Sequence, residues 1–176
     1  MSMNRLRLCT LFLLAATPCA CGGNGDGLET GETASAVGYQ TFNLKNNGNL
    51  YCLDGYQSGN INPYMNYCNI GNQYQRWYWD TSAVYTHLCN VGTGKCLDGY
   101  VAAAGGYPYM QIQYPTDIYQ GWYQGPGAIY NGILIRNAGN GSSCLDGYLA
   151  GGPAGGKPYL YPCSYTDGYQ SWTMVY

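Results

Sequence analysis

The sequence predicts an all-β domain made of three copies of one unit, each of about four short strands, arranged around a pseudo-threefold axis. Three observations carry this. The pentapeptide CLDGY occurs at Cys52–Tyr56, Cys96–Tyr100 and Cys144–Tyr148. A Pro-Tyr pair follows each copy, at Pro63–Tyr64, Pro108–Tyr109 and Pro158–Tyr159, and a YQxW follows that pair, at Tyr74–Trp77, Tyr119–Trp122 and Tyr169–Trp172. Between these landmarks, short runs such as YCLD, PYMNYC and ILIRN are separated by Gly, Asn and Asp turns, with no sustained 3.6-residue period.

The order of motifs sets the units at about residues 39–84, 85–129 and 130–176. Asn72, Asp117 and Asp167 each stand in a turn just ahead of a YQxW. Four strands in roughly 45 residues also describe a propeller blade, but three blades are fewer than the usual four to eight. Closure of three units around a threefold axis is the better solution.

A chain of 176 residues is long enough for one domain with a genuine core. Only 9% of the residues are charged, against 27 glycines and 21 tyrosines, which fits neither a solvated helical protein nor a charged disordered one. Tyrosine supplies apolar area with a polar tip and suits short, half-exposed strands.

Residues 1–21 read as an export signal: Arg5 and Arg7 form a basic start, and Leu8–Ala16 is an apolar run too short to span a bilayer. The end of the signal, ATPCACGG, resembles the point where bacterial lipoproteins are cut and lipidated, which makes Cys21 the candidate lipid site. Pro18 and Cys19 depart from that pattern, so ordinary secretion with cleavage near Ala34–Ala36 is the alternative. The expected location is the cell envelope, at the outer membrane, or the medium. Residues 22–38 are Gly-rich and acidic without an apolar period, the composition of a flexible tether.

Of nine cysteines, Cys9, Cys19 and Cys21 fall in the signal or lipid site, which leaves an even six in the body, as a disulfide framework requires. Without Arg5 and Arg7, five basic residues face nine acidic ones. That balance disfavours nucleic acid and anionic membrane surfaces as partners, since both call for a basic patch. Membrane contact is expected only through the lipid.

Cys-Leu-Asp, then an aromatic strand ending in cysteine, then Gln-x-Trp, three times in this order, resembles the ricin B-type β-trefoil lectin domain. The resemblance covers essentially residues 39–176. It implies a β-trefoil fold, within-repeat disulfides Cys52–Cys68 and Cys144–Cys163, and tryptophans Trp77, Trp122 and Trp172 buried in the core. The second unit departs from it, with Gln113 where the second cysteine belongs. There Cys89 lies across GTG from Cys96, which predicts a hairpin bridge. Trp79 belongs to no repeat and is expected at the surface.

For Asp54, Asp98 and Asp146, the bland reading is an Asp-Gly hairpin turn. The resemblance implies instead a carboxylate that accepts hydrogen bonds from sugar hydroxyls, helped by Gln75, Gln120 and Gln170. The sugar's C–H face calls for an aromatic ring, and the resemblance places it at Asn66, Gln111 and Tyr161. Only the third unit therefore combines Asp146, Tyr161 and Gln170. Tyr64, Tyr109 and Tyr159 occupy a further polar ligand position, and Tyr74, Tyr119 and Tyr169 replace an asparagine.

An enzyme is not expected. His87 is the sole histidine, and no metal-ligand spacing appears, so neither metal nor cofactor is implied. The repeated aspartates belong to different lobes, whereas glycosidase carboxylates stand roughly 5 to 9.5 Å apart. The expected function is multivalent, non-catalytic binding of neutral glycans or glycoconjugates, of galactose type or related. The alternative is a protein-binding trefoil, an inhibitor or adhesin subunit, in which CLDGY is turn chemistry only. Targeting of a separate toxin partner is a third reading.

Overall fold

A computed structural model of the chain describes residues 38–56, 62–101, 105–127, 129–149 and 156–176. The expected signal, Cys21 and nearly all of the tether lie outside these residues. Twelve strands form three sets of four. The first set is β1 (Phe42–Asn46), β2 (Cys52–Asp54), β3 (Tyr64–Asn66) and β4 (Arg76–Asp80). The second is β5 (His87–Asn90), β6 (Cys96–Asp98), β7 (Tyr109–Gln111) and β8 (Trp122–Pro126). The third is β9 (Ile133–Asn137), β10 (Ser143–Asp146), β11 (Tyr159–Pro162) and β12 (Trp172–Val175). The protein is all-β and adopts the β-trefoil fold.

Antiparallel ladders join β4 to β5, β8 to β9 and β12 to β1, so each repeat is paired with the next and the ring closes on itself. Within repeats, β1 pairs with β4 and β9 with β12, while in the second the link is a single bridge, His87 to Gly121. Hairpins β2–β3, β6–β7 and β10–β11 stand beside this barrel. Closure leaves few open edges for unwanted pairing.

The core is threefold too. Leu44, Leu88 and Ile135 from the first strands meet Leu53, Leu97 and Leu145 of CLDGY, then Met65, Met110 and Leu160. Trp77, Trp122 and Trp172 complete it at 1% exposure or less. Each indole N–H donates to the carbonyl of its own repeat's CLDGY leucine, at 2.8, 2.9 and 2.9 Å. Trp79 is not at the surface as expected. It is half-buried, with its ring 6.1 Å from Phe42 and its N–H donating to Met174 Sδ.

Three disulfides join Cys52 to Cys68, Cys89 to Cys96 and Cys144 to Cys163. They belong to a protein that folds in an oxidising, exported setting. Cys89 and Cys96 are direct cross-strand partners in the β5–β6 register, which is why the second unit can close its bridge without a cysteine at 113.

The joints between repeats rest on three buried asparagines. Asn46, Asn90 and Asn137 face Trp172, Trp77 and Trp122 of the preceding repeat in the ladder register. Their side-chain amides donate to the carbonyls of Tyr169, Tyr74 and Tyr119, at 2.6, 2.7 and 2.7 Å. The same three carbonyls accept the amides of Gly147, Gly55 and Gly99, at 2.8, 2.8 and 2.9 Å. The glycine of CLDGY is needed here for space, not for a left-handed backbone: a β-carbon on Gly147 would sit 2.6 Å from Asn46 Nδ2. Nor is Asp-Gly a tight hairpin turn, because Asp54 opposes Tyr64 in register and the loop lies between them.

Asn137→Ala is expected to lower unfolding stability by about 1–3 kcal/mol, by removing the side-chain donor that the Tyr119 and Gly121 carbonyls share and the acceptor of the Asn140 amide. Gly147→Ala should cost about 1–3 kcal/mol through overpacking against Asn46. Urea unfolding with unchanged slope checks both.

Candidate functional site

Each repeat carries one polar node, built by the end of its CLDGY strand and the short 3-10 turn that precedes its tryptophan. These turns span Gln73–Gln75, Ile118–Gln120 and Gly168–Gln170. Asn72, Asp117 and Asp167 cap them, each accepting the backbone N–H two residues on. The cap delivers Gln75, Gln120 and Gln170 to the interior, all at 1% exposure or less.

Every polar atom of those glutamines is used. In the third repeat Gln170 Oε1 accepts from Ser164 N, and Nε2 donates to Asp146 Oδ2 and Pro162 O, both at 3.1 Å. Gln75 bonds Asn69 N, Asp54 Oδ2 and Tyr67 O, and Gln120 bonds Tyr114 N, Asp98 Oδ2 and Ile112 O. Asp54, Asp98 and Asp146 are 1–2% exposed. One oxygen of each accepts the amide of Tyr56, Tyr100 or Tyr148, and the other accepts the glutamine. Asn72 adds a bond to Asp54, and the phenols of Tyr64, Tyr109 and Tyr159 lie near enough to the three carboxylates to interact with them electrostatically. The aspartates thus lie inside the wall of the site.

Burial pushes the Asp98 and Asp146 carboxyls above the ordinary carboxylate range, even though the Tyr100 and Tyr148 amides and the glutamines pull the other way. The folded state therefore holds these protons to higher pH than the unfolded chain, and the ionised carboxylates are a cost to the fold at neutral pH. Burial, reinforced by the neighbouring carboxylates, raises the Tyr109 and Tyr159 phenols as well, so they remain donors.

The solvent face of each node is aromatic. The tyrosine of CLDGY meets the tyrosine of YQxW in all three repeats, with ring centroids 4.6 Å apart for Tyr56–Tyr74, 4.9 Å for Tyr100–Tyr119 and 4.8 Å for Tyr148–Tyr169. The third repeat adds Tyr161, 51% exposed and edge-on to Tyr159. At the matching positions Asn66 and Gln111 are half-buried, and each turns its side-chain oxygen back to the next backbone amide. The structure thus gathers Asp146, Tyr159, Tyr161 and Gln170 into one cluster with Tyr148, and gives the other two nodes no ring beside Tyr64 or Tyr109 at that position. Tyr56, Tyr100 and Tyr148 were not singled out from sequence, although their place in the repeated pentapeptide was the available signal.

His87 is buried at the joint of the first and second repeats. Its Nδ1 lies 2.8 Å from Gln113 Nε2, which also donates to Asp80 Oδ2, and its Nε2 has no partner among the described residues. Burial holds the imidazole below its ordinary value of 6.5, against the opposing pull of Asp80 and Asp117. Burial works against ionised Asp80 too, but donors from Ser82, Gln113 and Tyr39 bring it down to about 2. Among the described residues no three His, Cys, Asp or Glu side chains gather to hold a metal.

No protein-family model matches the chain, and no curated protein matches it in sequence. Solved structures do match its fold. A designed threefold-symmetric protein, ThreeFoil, is 21% identical with a TM-score of 0.62, over 77% of this chain and 98% of that one. The ricin B-like lectin of Macrolepiota procera, solved with lactose, is 18% identical with a TM-score of 0.63, over 77% of this chain and 94% of the lectin. The GlcNAcα1-4Gal releasing endo-β-galactosidase of Clostridium perfringens is 15% identical with a TM-score of 0.62, and this chain spans only 32% of it. At these identities the likeness is one of fold.

Asp146→Ala is expected to cost about 1–3 kcal/mol, because it removes the acceptor of the Tyr148 amide and of one of the two Gln170 Nε2 bonds. Acidification gives a second measurable outcome. A buried base whose proton affinity is lowered in the fold takes up its proton more readily when unfolded, so His87 should erode stability as pH falls below about 6.5. Asp80 contributes stability above 3.8 that is lost as pH falls toward about 2. In urea unfolding between pH 7.5 and 5, His87→Gln should flatten the decline that the wild type shows.

Proposed function

We propose that this domain is a non-catalytic lectin for neutral glycans of galactose type, with the third repeat as its strongest site. The carrying observation is the cluster of Tyr148, Tyr159, Tyr161 and Tyr169 around the Asp146–Gln170 pair. An aromatic face beside fixed hydroxyls suits a pyranose, whose C–H face stacks while its hydroxyls exchange hydrogen bonds. The tyrosines make the contact, and Asp146 and Gln170 hold them. A sugar hydroxyl reaches the remaining lone pair of Asp146 Oδ1 only when the side chains that cover it move aside. The first site (Asp54, Asn66, Gln75, Tyr64) and the second (Asp98, Gln111, Gln120) are weaker for want of the stacking ring. The neighbour solved with lactose supports the ligand class. Export through residues 1–21, with a lipid on Cys21 at the outer membrane, would present the domain to glycoconjugates outside the cell.

The protein-binding reading has an observation of its own. The described surface exposes Tyr67, Tyr107, Tyr114, Tyr123 and Tyr165 in addition to the node tyrosines, and tyrosine is enriched where proteins meet. A glycan array with the mature protein separates the two readings. Tyr161→Ala, an exposed change, should reduce binding to the recognised glycan roughly tenfold or more while shifting stability by under about 1 kcal/mol. A folded wild type that binds no glycan would turn attention to the tyrosine surface.

A further inference from the structure

A second hollow, of about 500 Å³, lies where the third repeat meets the first, and it shares only Tyr169 with the aromatic cluster above. Its wall is a tyrosine in an unfavourable backbone conformation. Tyr130 and Asn131 have φ of 58° and 51°, and Gly132 N donates to Ile129 O across them, the form of a tight hairpin turn with both central residues left-handed. Asparagine tolerates that region; tyrosine does so at a cost. Core burial does not offset it, because Tyr130 is 68% exposed. The ring instead leans over Gly168, where a β-carbon would stand 3.1 Å from Tyr130 Cε2.

Ser164, Thr166 and Asp167 bring side-chain oxygens to the lining of the hollow. Ser164 Oγ and Thr166 Oγ1 are 3.2 Å apart. Asp167 lines the same wall, with Oδ1 accepting the Tyr169 amide at 2.9 Å and its charge close enough to Asp146 to act on that carboxyl. The equivalent of Tyr130 in the first repeat, Tyr39, stacks on Tyr78 and donates to Asp80, and in the second repeat it is Ala83. Among the described residues an exposed, unengaged tyrosine therefore stands at this position in the third repeat alone.

We infer that this hollow is a second saccharide site, in which the Tyr130 ring covers the C–H face of a neutral sugar and the paired hydroxyls of Ser164 and Thr166 exchange hydrogen bonds with its hydroxyls. Its lining offers one carboxylate and neutral hydroxyls, with no cation for an anionic ligand. A hard metal ion would want six to eight oxygens, more than are gathered here. The assignment rests on the glycan reading for its ligand class alone, since Tyr130, Ser164 and Thr166, which would make the contact, stand outside the Asp146 cluster.

The test uses the mature protein and backbone-amide NMR with lactose, N-acetyllactosamine, maltose and methyl α-mannoside. At least one saccharide should shift Ser164, Thr166 and Gly168, and Tyr130→Gly should weaken that response roughly tenfold or more. The same variant should raise the unfolding midpoint, since glycine accepts the turn that tyrosine resists. Tyr161→Ala should leave these shifts intact. Saccharide shifts confined to the Asp146 cluster and indifferent to Tyr130→Gly would overturn this site and leave the lectin reading standing. Shifts at the hollow alone, untouched by Tyr161→Ala, would support this site and move the glycan reading away from Asp146. Silence with every saccharide would end both.

Discussion

The carbonyl oxygen of the tyrosine before each Gln-x-Trp is the point on which the rest depends. Tyr74, Tyr119 and Tyr169 each accept one N–H from the glycine of their own CLDGY and one from the asparagine of the following repeat. One atom thereby fixes a repeat internally and docks its neighbour. Because the last of the three receives Asn46 from the first strand, the chain is closed into a ring by the same bond that joins its middle. The glycine follows from this constraint, since the asparagine fills the space a side chain would need. In a sequence only 9% charged, buried amides carry the specificity that ion pairs supply elsewhere.

That arrangement also explains why the aspartate after the cysteine recurs. Cys, Leu, Asp, Gly and Tyr each have a separate partner: a disulfide, an indole N–H, a glutamine, a tyrosine carbonyl and a tyrosine ring. Five consecutive residues are engaged by one short turn and the strands beside it, which is reason enough for the pentapeptide to repeat in folding terms. In the proposed lectin role its contribution is indirect. A glutamine held on both sides keeps the carboxylate still, and a still carboxylate keeps the tyrosines above it in place.

The repeat, its strands and the tryptophan core were legible because they recur along the chain at nearly constant spacing and in residue types with one strong preference. The asparagine ring was not. Asn46, Asn90 and Asn137 each sit just ahead of Gly-containing turns, so along the sequence they read as turn residues, and their partners lie across a repeat boundary. The Asp-Gly pair misled for a related reason: the dipeptide is a hairpin signal locally, yet the glycine is demanded by a side chain from another repeat. Trp79 looked free because it matched nothing in the alignment, whereas its place beside Phe42 and Met174 depends on the first and last strands meeting. The cluster of Asp80, His87 and Gln113 was hidden for the same cause, since Gln113 reaches it only after the cysteine of that position is lost.

What the three repeats share is nearly all spent on the fold: Asp, Gln, Trp, Asn and Gly are buried with their donors and acceptors engaged. In the proposed lectin role, a ligand would meet what the repeats do not share. Tyr161 faces solvent where Asn66 and Gln111 turn back to their own backbone, and Tyr130 stands out where Tyr39 is occupied and Ala83 is small. Both exposed rings belong to the third repeat. A threefold scaffold whose two unshared aromatic positions, 161 and 130, are free only on the third lobe favours, in the proposed lectin role, one dominant sugar contact over three equal ones. Avidity would then come from many copies on a surface, each held by a tether, and not from three sites acting within one domain.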